Sequence, residues 1–157
     1  MSFTESASRR KIDEMDYNDI MHQVNCLASD LDSLYHQAAL KLGLPDSVMM
    51  VLYLLYERDG SYPLNEIRKE TNISKQTLNS AIRKLESEDI VYLKQTNGRE
   101  KTVCLTEKGT DYTSCTIARL YTAECNAFQD WAETEIRQYL YLMDKYNREF
   151  RKQIETM

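Results

Sequence analysis

Helix breakers are scarce in this chain: two prolines and four glycines among 157 residues. So few breakers, with charged residues at 29 %, exclude a loop-rich or collagen-like chain and favour a mostly helical, soluble protein. No apolar run approaches the roughly 18 residues of a membrane span. The start, MSFTESASRRKIDEMD, has no apolar signal-peptide core, so a cytoplasmic protein is expected and no membrane partner. Four cysteines, Cys26, Cys104, Cys115 and Cys125, show no CxxC spacing. In a reducing compartment such scattered thiols are buried side chains more often than bridges. Histidine occurs only twice, and there is no nucleophile elbow, no glycine-rich phosphate loop and no zinc-protease motif. An enzyme has nothing here to build a site from, and no cofactor or metal is expected.

Positive charge is lacking too, except in one place. The chain carries a net −5. Residues 61–110 hold nine Lys/Arg against seven Asp/Glu, a net +2, while the rest holds eleven against eighteen, a net −7. Within that segment, residues 72–85 contain Lys75, Arg83 and Lys84 and no carboxylate. A polyanion would be met there if anywhere.

The periodicity places this stretch on a helix. Ile20, Val24, Leu27, Leu31, Leu34, Ala38 and Leu42 recur at three- and four-residue steps, which predicts a long amphipathic helix stopped by Gly43. LPDSVMMVLYLLYERDG predicts a central buried helix, with Pro45 and Asp46 in its first turn and Gly60 after its end. A short extended entry and a helix from Leu64 to about Thr71 follow. Ser74 then suits an N-cap, and Leu78, Ala81, Ile82 and Leu85 form one apolar stripe. At 100° per residue, Gln76, Ser80 and Arg83 point away from the stripe, with Asn79 on its flank.

From Val91 the period changes to two. Val91, Leu93 and Gln95 alternate with Tyr92 and Lys94; Lys101, Val103 and Leu105 alternate with Thr102 and Cys104. The Asn-Gly pair between them predicts a hairpin. Thr106 is the expected N-cap of a helix running to about Gln129. Asp130 and Glu133 have the form of a capping box for a last helix, whose apolar face runs from Trp131 to Ile154.

Helix, turn, polar-faced helix and cationic hairpin is the order of a winged helix-turn-helix. Amides, hydroxyls and guanidinium groups read base edges in the major groove, and carboxylates on that face would repel phosphate. The candidate DNA-contacting residues are Ser74, Lys75, Gln76, Thr77, Asn79, Ser80, Arg83 and Lys84 on the helix, and Lys94, Arg99 and Lys101 on the hairpin. A winged helix used for protein contacts, without DNA, is the alternative.

Residues 64–109, LNEIRKETNISKQTLNSAIRKLESEDIVYLKQTNGREKTVCLTEKG, resemble the core of the MarR family, the multiple-antibiotic-resistance-type regulators. The phrases ISKQT, IRKLE and LTEKG carry the likeness. Asp89 departs from it, standing where a glycine usually ends the recognition helix. The resemblance implies a mainly α fold with a small β-hairpin wing, in which 1–42 and 107–157 form a helical dimerisation region around a winged unit at 43–106. It implies a homodimeric transcriptional regulator, a repressor, with each subunit's recognition helix in a major groove of double-stranded DNA. The apolar face from Trp131 to Ile154, with Ile12, Met15 and Ile20, fits such pairing.

The resemblance also implies a ligand crevice between the dimer and DNA-binding parts, near Tyr35, Met49, Tyr53, Tyr56 and Tyr112. Aromatic walls with hydroxyl handles suit a small aromatic or phenolic ligand, or another flat anion, whose binding releases DNA. Two other readings attach to the first helix. Cys26 invites a redox-sensing regulator, although its place beside Val24 and Leu27 suits plain packing. His22 with Cys26, and Asp32 with His36, are spaced to share a helix face, as metal ligands can be.

Overall fold

A computed structural model describes residues 16–96, 98 and 100–157. Arg99, Ile12 and Met15 lie outside the described residues. Among the described residues seven helices and three strands follow one another in the order α1 (Tyr17–Leu42), α2 (Asp46–Glu57), β1 (Ser61–Pro63), α3 (Leu64–Thr71), α4 (Lys75–Ser87), β2 (Val91–Gln95), β3 (Lys101–Leu105), α5 (Glu107–Cys115), α6 (Ile117–Ala127) and α7 (Glu133–Glu155).

The core forms around α2. Val48, Met49, Val51, Leu52 and Leu55 are all buried, as expected for a helix apolar nearly all round. Against it pack Ile67 from α3, Leu78, Ala81, Ile82 and Leu85 from α4, Ile90, Val91 and Val103 from the sheet region, and Ile117 from α6. The three strands are antiparallel in the order β1-β3-β2. Leu93 pairs with Val103 and Tyr92 with Cys104.

Local chemistry sets the helix ends. The Asp16 carboxylate accepts from the Asn18 amide at 2.9 Å and starts α1. Gly43 ends it in the left-handed region at φ 68. The Ser74 hydroxyl accepts from the Thr77 amide at 3.1 Å and starts α4. Asp89, the residue that departs from the family's glycine, adopts φ 57, the left-handed conformation that a glycine would take. Aspartate is among the few residues that tolerate it.

Two expectations are corrected at the C-terminal side. The helix expected from Thr106 to about Gln129 is broken at Thr116, whose φ −115 and ψ −71 interrupt it between α5 and α6. The Thr116 hydroxyl donates to the Tyr112 carbonyl at 2.7 Å and the Thr113 hydroxyl to the Gly109 carbonyl at 3.0 Å. Such back-bonding bends helices without any glycine or proline. The last helix starts later than the Asp130 box implied: Ala132 is its N-cap, and the Glu135 carboxylate accepts from the Ala132 amide at 2.8 Å.

The long helices are nearly bare. Ala39 is the sole buried residue of α1, and α7 has none. Leu140, Leu142, Phe150 and Ile154 on α7 and Leu27 and Leu34 on α1 are each at least half exposed. Among the described residues no single helix is long and apolar enough to cross a membrane.

Candidate nucleic-acid interface and crevice

The buried stripe Leu78–Ala81–Ile82–Leu85 fixes how α4 is turned. Gln76, Asn79, Ser80 and Arg83 are consequently exposed. Ser74, Lys75, Thr77 and Lys84 are exposed too, but their situations differ. The hydroxyls of Ser74 and Thr77 sit 2.8 Å apart in the N-cap, so both are engaged in starting the helix. Lys84 donates to Glu88 at 2.6 Å, one turn on, and its charge is compensated locally. That pair also holds the Lys84 ammonium above its ordinary lysine value, through the bond to Glu88 and then its charge. Among the described residues no carboxylate pairs with Lys75 or Arg83.

The hairpin stands beside this helix. Lys94 pairs in register with Thr102, and Gln95 with Lys101. Side chains alternate along a strand, so the two exposed lysines lie on opposite faces of the hairpin. Past the last ladder pair the Thr96 backbone amide donates to the Glu100 carbonyl at 3.1 Å, and the Gln95 side-chain Nε2 donates to the Gly98 carbonyl at 2.5 Å.

The hairpin root and the end of α4 are strapped to the start of α5. The Thr106 amide donates to the Ile90 carbonyl at 3.0 Å, and the Thr106 hydroxyl to the Asp89 carbonyl at 2.7 Å. Lys108 donates to the Glu88 carbonyl at 2.6 Å. The motif LTEKG is therefore the joint between the winged unit and the C-terminal helices.

A second feature is a crevice of about 400 Å³ between α1, α2, α3 and α6. Of the tyrosines and methionine expected there, Tyr35, Met49 and Tyr53 line it. Tyr56 instead packs against Tyr121, centroids 5.6 Å apart, and Tyr112 packs on the core. One residue missed by sequence reasoning is Glu124 on α6. Its carboxylate accepts the hydroxyls of Tyr35 and Tyr53 on its two oxygens, tying α1, α2 and α6 together. Burial first, then the bond to Glu124 and its charge, pushes the Tyr35 phenol up to about 12. Tyr53 is raised by the same causes.

On the first helix His22 and Cys26 share a face as their spacing predicts, while other details differ from expectation. Cys26 is exposed in the chain rather than packed, its Sγ 3.7 Å from His22 Nε2. His36 turns from Asp32 to Asp46, whose carboxylate oxygens lie 2.9 and 3.0 Å from its Nδ1. Among the described residues no three His, Cys, Asp or Glu side chains gather as metal ligands do.

The family model of the MarR family matches residues 42–100, the stretch from the end of α1 to the hairpin. The winged part of the chain carries the sequence pattern of the MarR family. Solved MarR structures share its fold along nearly the whole length. NMB1585, a MarR family regulator from Neisseria meningitidis, is similar at 18 % identity and a TM-score of 0.73, over 90 % of this chain and 98 % of that one. A MarR-family transcriptional regulator from Rhodococcus sp. RHA1 is similar at 17 % identity and a TM-score of 0.64, over 85 % and 95 % of the two chains. NadR, solved in complex with 4-hydroxyphenylacetate, is similar at 12 % identity and a TM-score of 0.66, over 85 % and 94 %. No curated protein matches the sequence.

Proposed function

We propose that this chain is a regulator of the MarR family, a sequence-specific DNA-binding protein working as a homodimer on a pseudo-palindromic operator and answering to a small molecule held in the crevice. The observation that carries this reading is the outer face of α4. Its buried stripe turns Gln76, Ser80 and Arg83 outward, with no acidic residue from Lys75 to Leu85, beside a hairpin bearing Lys94 and Lys101. Such a face suits base edges between phosphates. Repression is the mode this reading takes, because a dimer lying across an operator blocks its use. The cytoplasm is its place of action.

The homodimer is supported by the bare apolar faces of α1 and α7. Side chains such as Leu142, Phe150 and Ile154 are about half exposed in one chain. A second copy covers them most simply. The crevice supports a ligand because it is concave, walled by Met49 and Tyr53, and placed where α1 and α6 meet the winged unit.

The test is selection of genomic fragments by the purified protein, followed by sequencing and by binding measurements at several salt concentrations. The reading expects one enriched two-fold-related sequence and an affinity that falls steeply with salt. Enrichment of nothing above random DNA, with salt-independent capture of a protein, would favour the adaptor alternative.

A further inference from the structure

We propose that the crevice takes an apolar organic cation, an aromatic or similarly hydrophobic body carrying positive charge, and not the phenolic anion that its tyrosines alone suggest. This rests on the reading of the crevice as the effector site.

The first ground is the charge of the lining. Asp32, Asp46, Glu57 and Glu70 all border the crevice, and among the described residues no lysine or arginine does. Among the described residues His36 is the one basic side chain there, and Asp46 already engages its Nδ1. Arg58, just outside the lining, lies 3.5 Å from Glu70. Among the described residues no ion pair involves Asp32 or Glu57. A negative ligand would enter a field of its own sign, and a positive one would find uncompensated carboxylates.

The second ground is independent of charge. A phenol has one proton to donate. Tyr35 and Tyr53 both give theirs to Glu124. Toward the crevice they therefore offer lone pairs and ring faces. A carboxylate or phenolate ligand needs donors and would have to break the Glu124 clamp to obtain them. An ammonium or another cationic centre needs acceptors and π faces, which are what remains.

The body of the ligand follows from the rest of the wall. Met49, Met50, Leu54 and Leu120 supply an apolar floor, and methionine adapts to irregular shapes. A volume of about 400 Å³ suits a compact molecule of one to four rings. The site also reaches toward the DNA-reading helix. Glu70 and Thr71 at the end of α3 line it, Asn72 turns the chain at φ 52, and Ser74 caps α4. Occupancy at Thr71 thus acts three positions before the cap at which α4 starts.

The experiment uses the purified full chain and two probes of nearly equal size and opposite charge, tetraphenylphosphonium and tetraphenylborate. Calorimetry gives affinity and stoichiometry, and a labelled operator reports DNA binding. The cation should bind once per subunit and at least roughly tenfold more tightly than the anion. Glu57→Gln and Asp32→Asn should each weaken the cation by roughly three- to tenfold and leave DNA affinity without ligand unchanged. Equal or tighter binding of tetraphenylborate would overturn the cation class while leaving the effector site standing. Binding of neither probe by a protein that still holds its operator would overturn both. Cation binding by a chain that holds no DNA would sustain the cation class and remove the regulator reading instead.

Discussion

A Cβ placed on Gly109 would stand 2.0 Å from the carbonyl oxygen of Ile90 and 2.9 Å from its carbon. The first turn of α5 is pressed against the backbone where α4 gives way to the hairpin. Gly109 is helical and needs no unusual φ, so propensity alone would make alanine better there by about 1 kcal/mol. The clash decides the sign. Gly109→Ala should destabilise the chain by about 3 kcal/mol, because the neighbour is backbone held by the bonds of Thr106 and Lys108. Urea unfolding measures it. A loss below about 1 kcal/mol would show that this joint shifts freely.

The Tyr35–Glu124–Tyr53 clamp predicts an alkaline signature. Tyr35 is raised from the ordinary 10.0 to about 12, first by burial and then by Glu124. Its folded value exceeds its unfolded one. The stability linked to it is therefore whole below pH 10 and is lost as pH climbs through about 12. Following phenolate absorbance in the folded protein should show ionisation late for Tyr35 and Tyr53. Glu124→Gln removes the charge and should bring Tyr35 back toward its ordinary value. An unchanged titration in that variant would mean that the clamp does not form in solution.

On α4 the residues divide by what they are free to do. Gln76 and Arg83 face outward, and Arg83 has no acidic partner among the described residues. Lys84 is tied to Glu88. Gln76→Ala should cost roughly 1–3 kcal/mol on the selected operator and less on random DNA. Lys94→Ala and Lys101→Ala should weaken both about equally and reduce the salt slope. Lys84→Ala should do less than either hairpin change. Competition binding at several salt concentrations separates these classes. An unchanged specific-to-random ratio in Gln76→Ala would refute the assigned helix face.

The winged unit could be read from sequence because its signals are local. Ser74 and Thr106 cap the helices they precede, the stripe of α4 repeats at helical spacing, and the hairpin alternates at period two. The break at Thr116 was hidden, because hydroxyl back-bonding leaves no glycine or proline as a mark. Glu124 was hidden for another reason. Its partners Tyr35 and Tyr53 lie 89 and 71 positions away, and nothing in any one segment shows that pairing. The acid rim of the crevice is assembled in the same way, from Asp32, Asp46, Glu57 and Glu70 on three helices. Cys26 shows a further limit. A stripe says which side of α1 is apolar, and it does not say whether the same chain covers it.

The bare face of α7 leads to a prediction about assembly and operator together. Tyr146 stacks on Phe150 at 5.8 Å, yet both stay about half exposed, and no residue of the 23 in this helix is buried. A helix with that apolar stripe is not stable facing water along its length. If two copies pair there and along α1, the interface should exceed about 2,000 Å². Phe150→Glu should then yield a monomer by sedimentation and lower operator affinity far more than any single hairpin lysine. The two-fold axis that relates the α7 helices also relates the two copies of Gln76 and Arg83. Both copies must read the same short sequence on opposite strands, from one face of the duplex. Half-site centres should therefore lie about one turn, roughly 10 base pairs, apart. Inserting about five base pairs between the half-sites rotates them by half a turn, and affinity should drop towards that for random DNA. Full affinity for the lengthened operator would mean that the subunits read DNA independently, and rigid pairing through α7 would have to be given up.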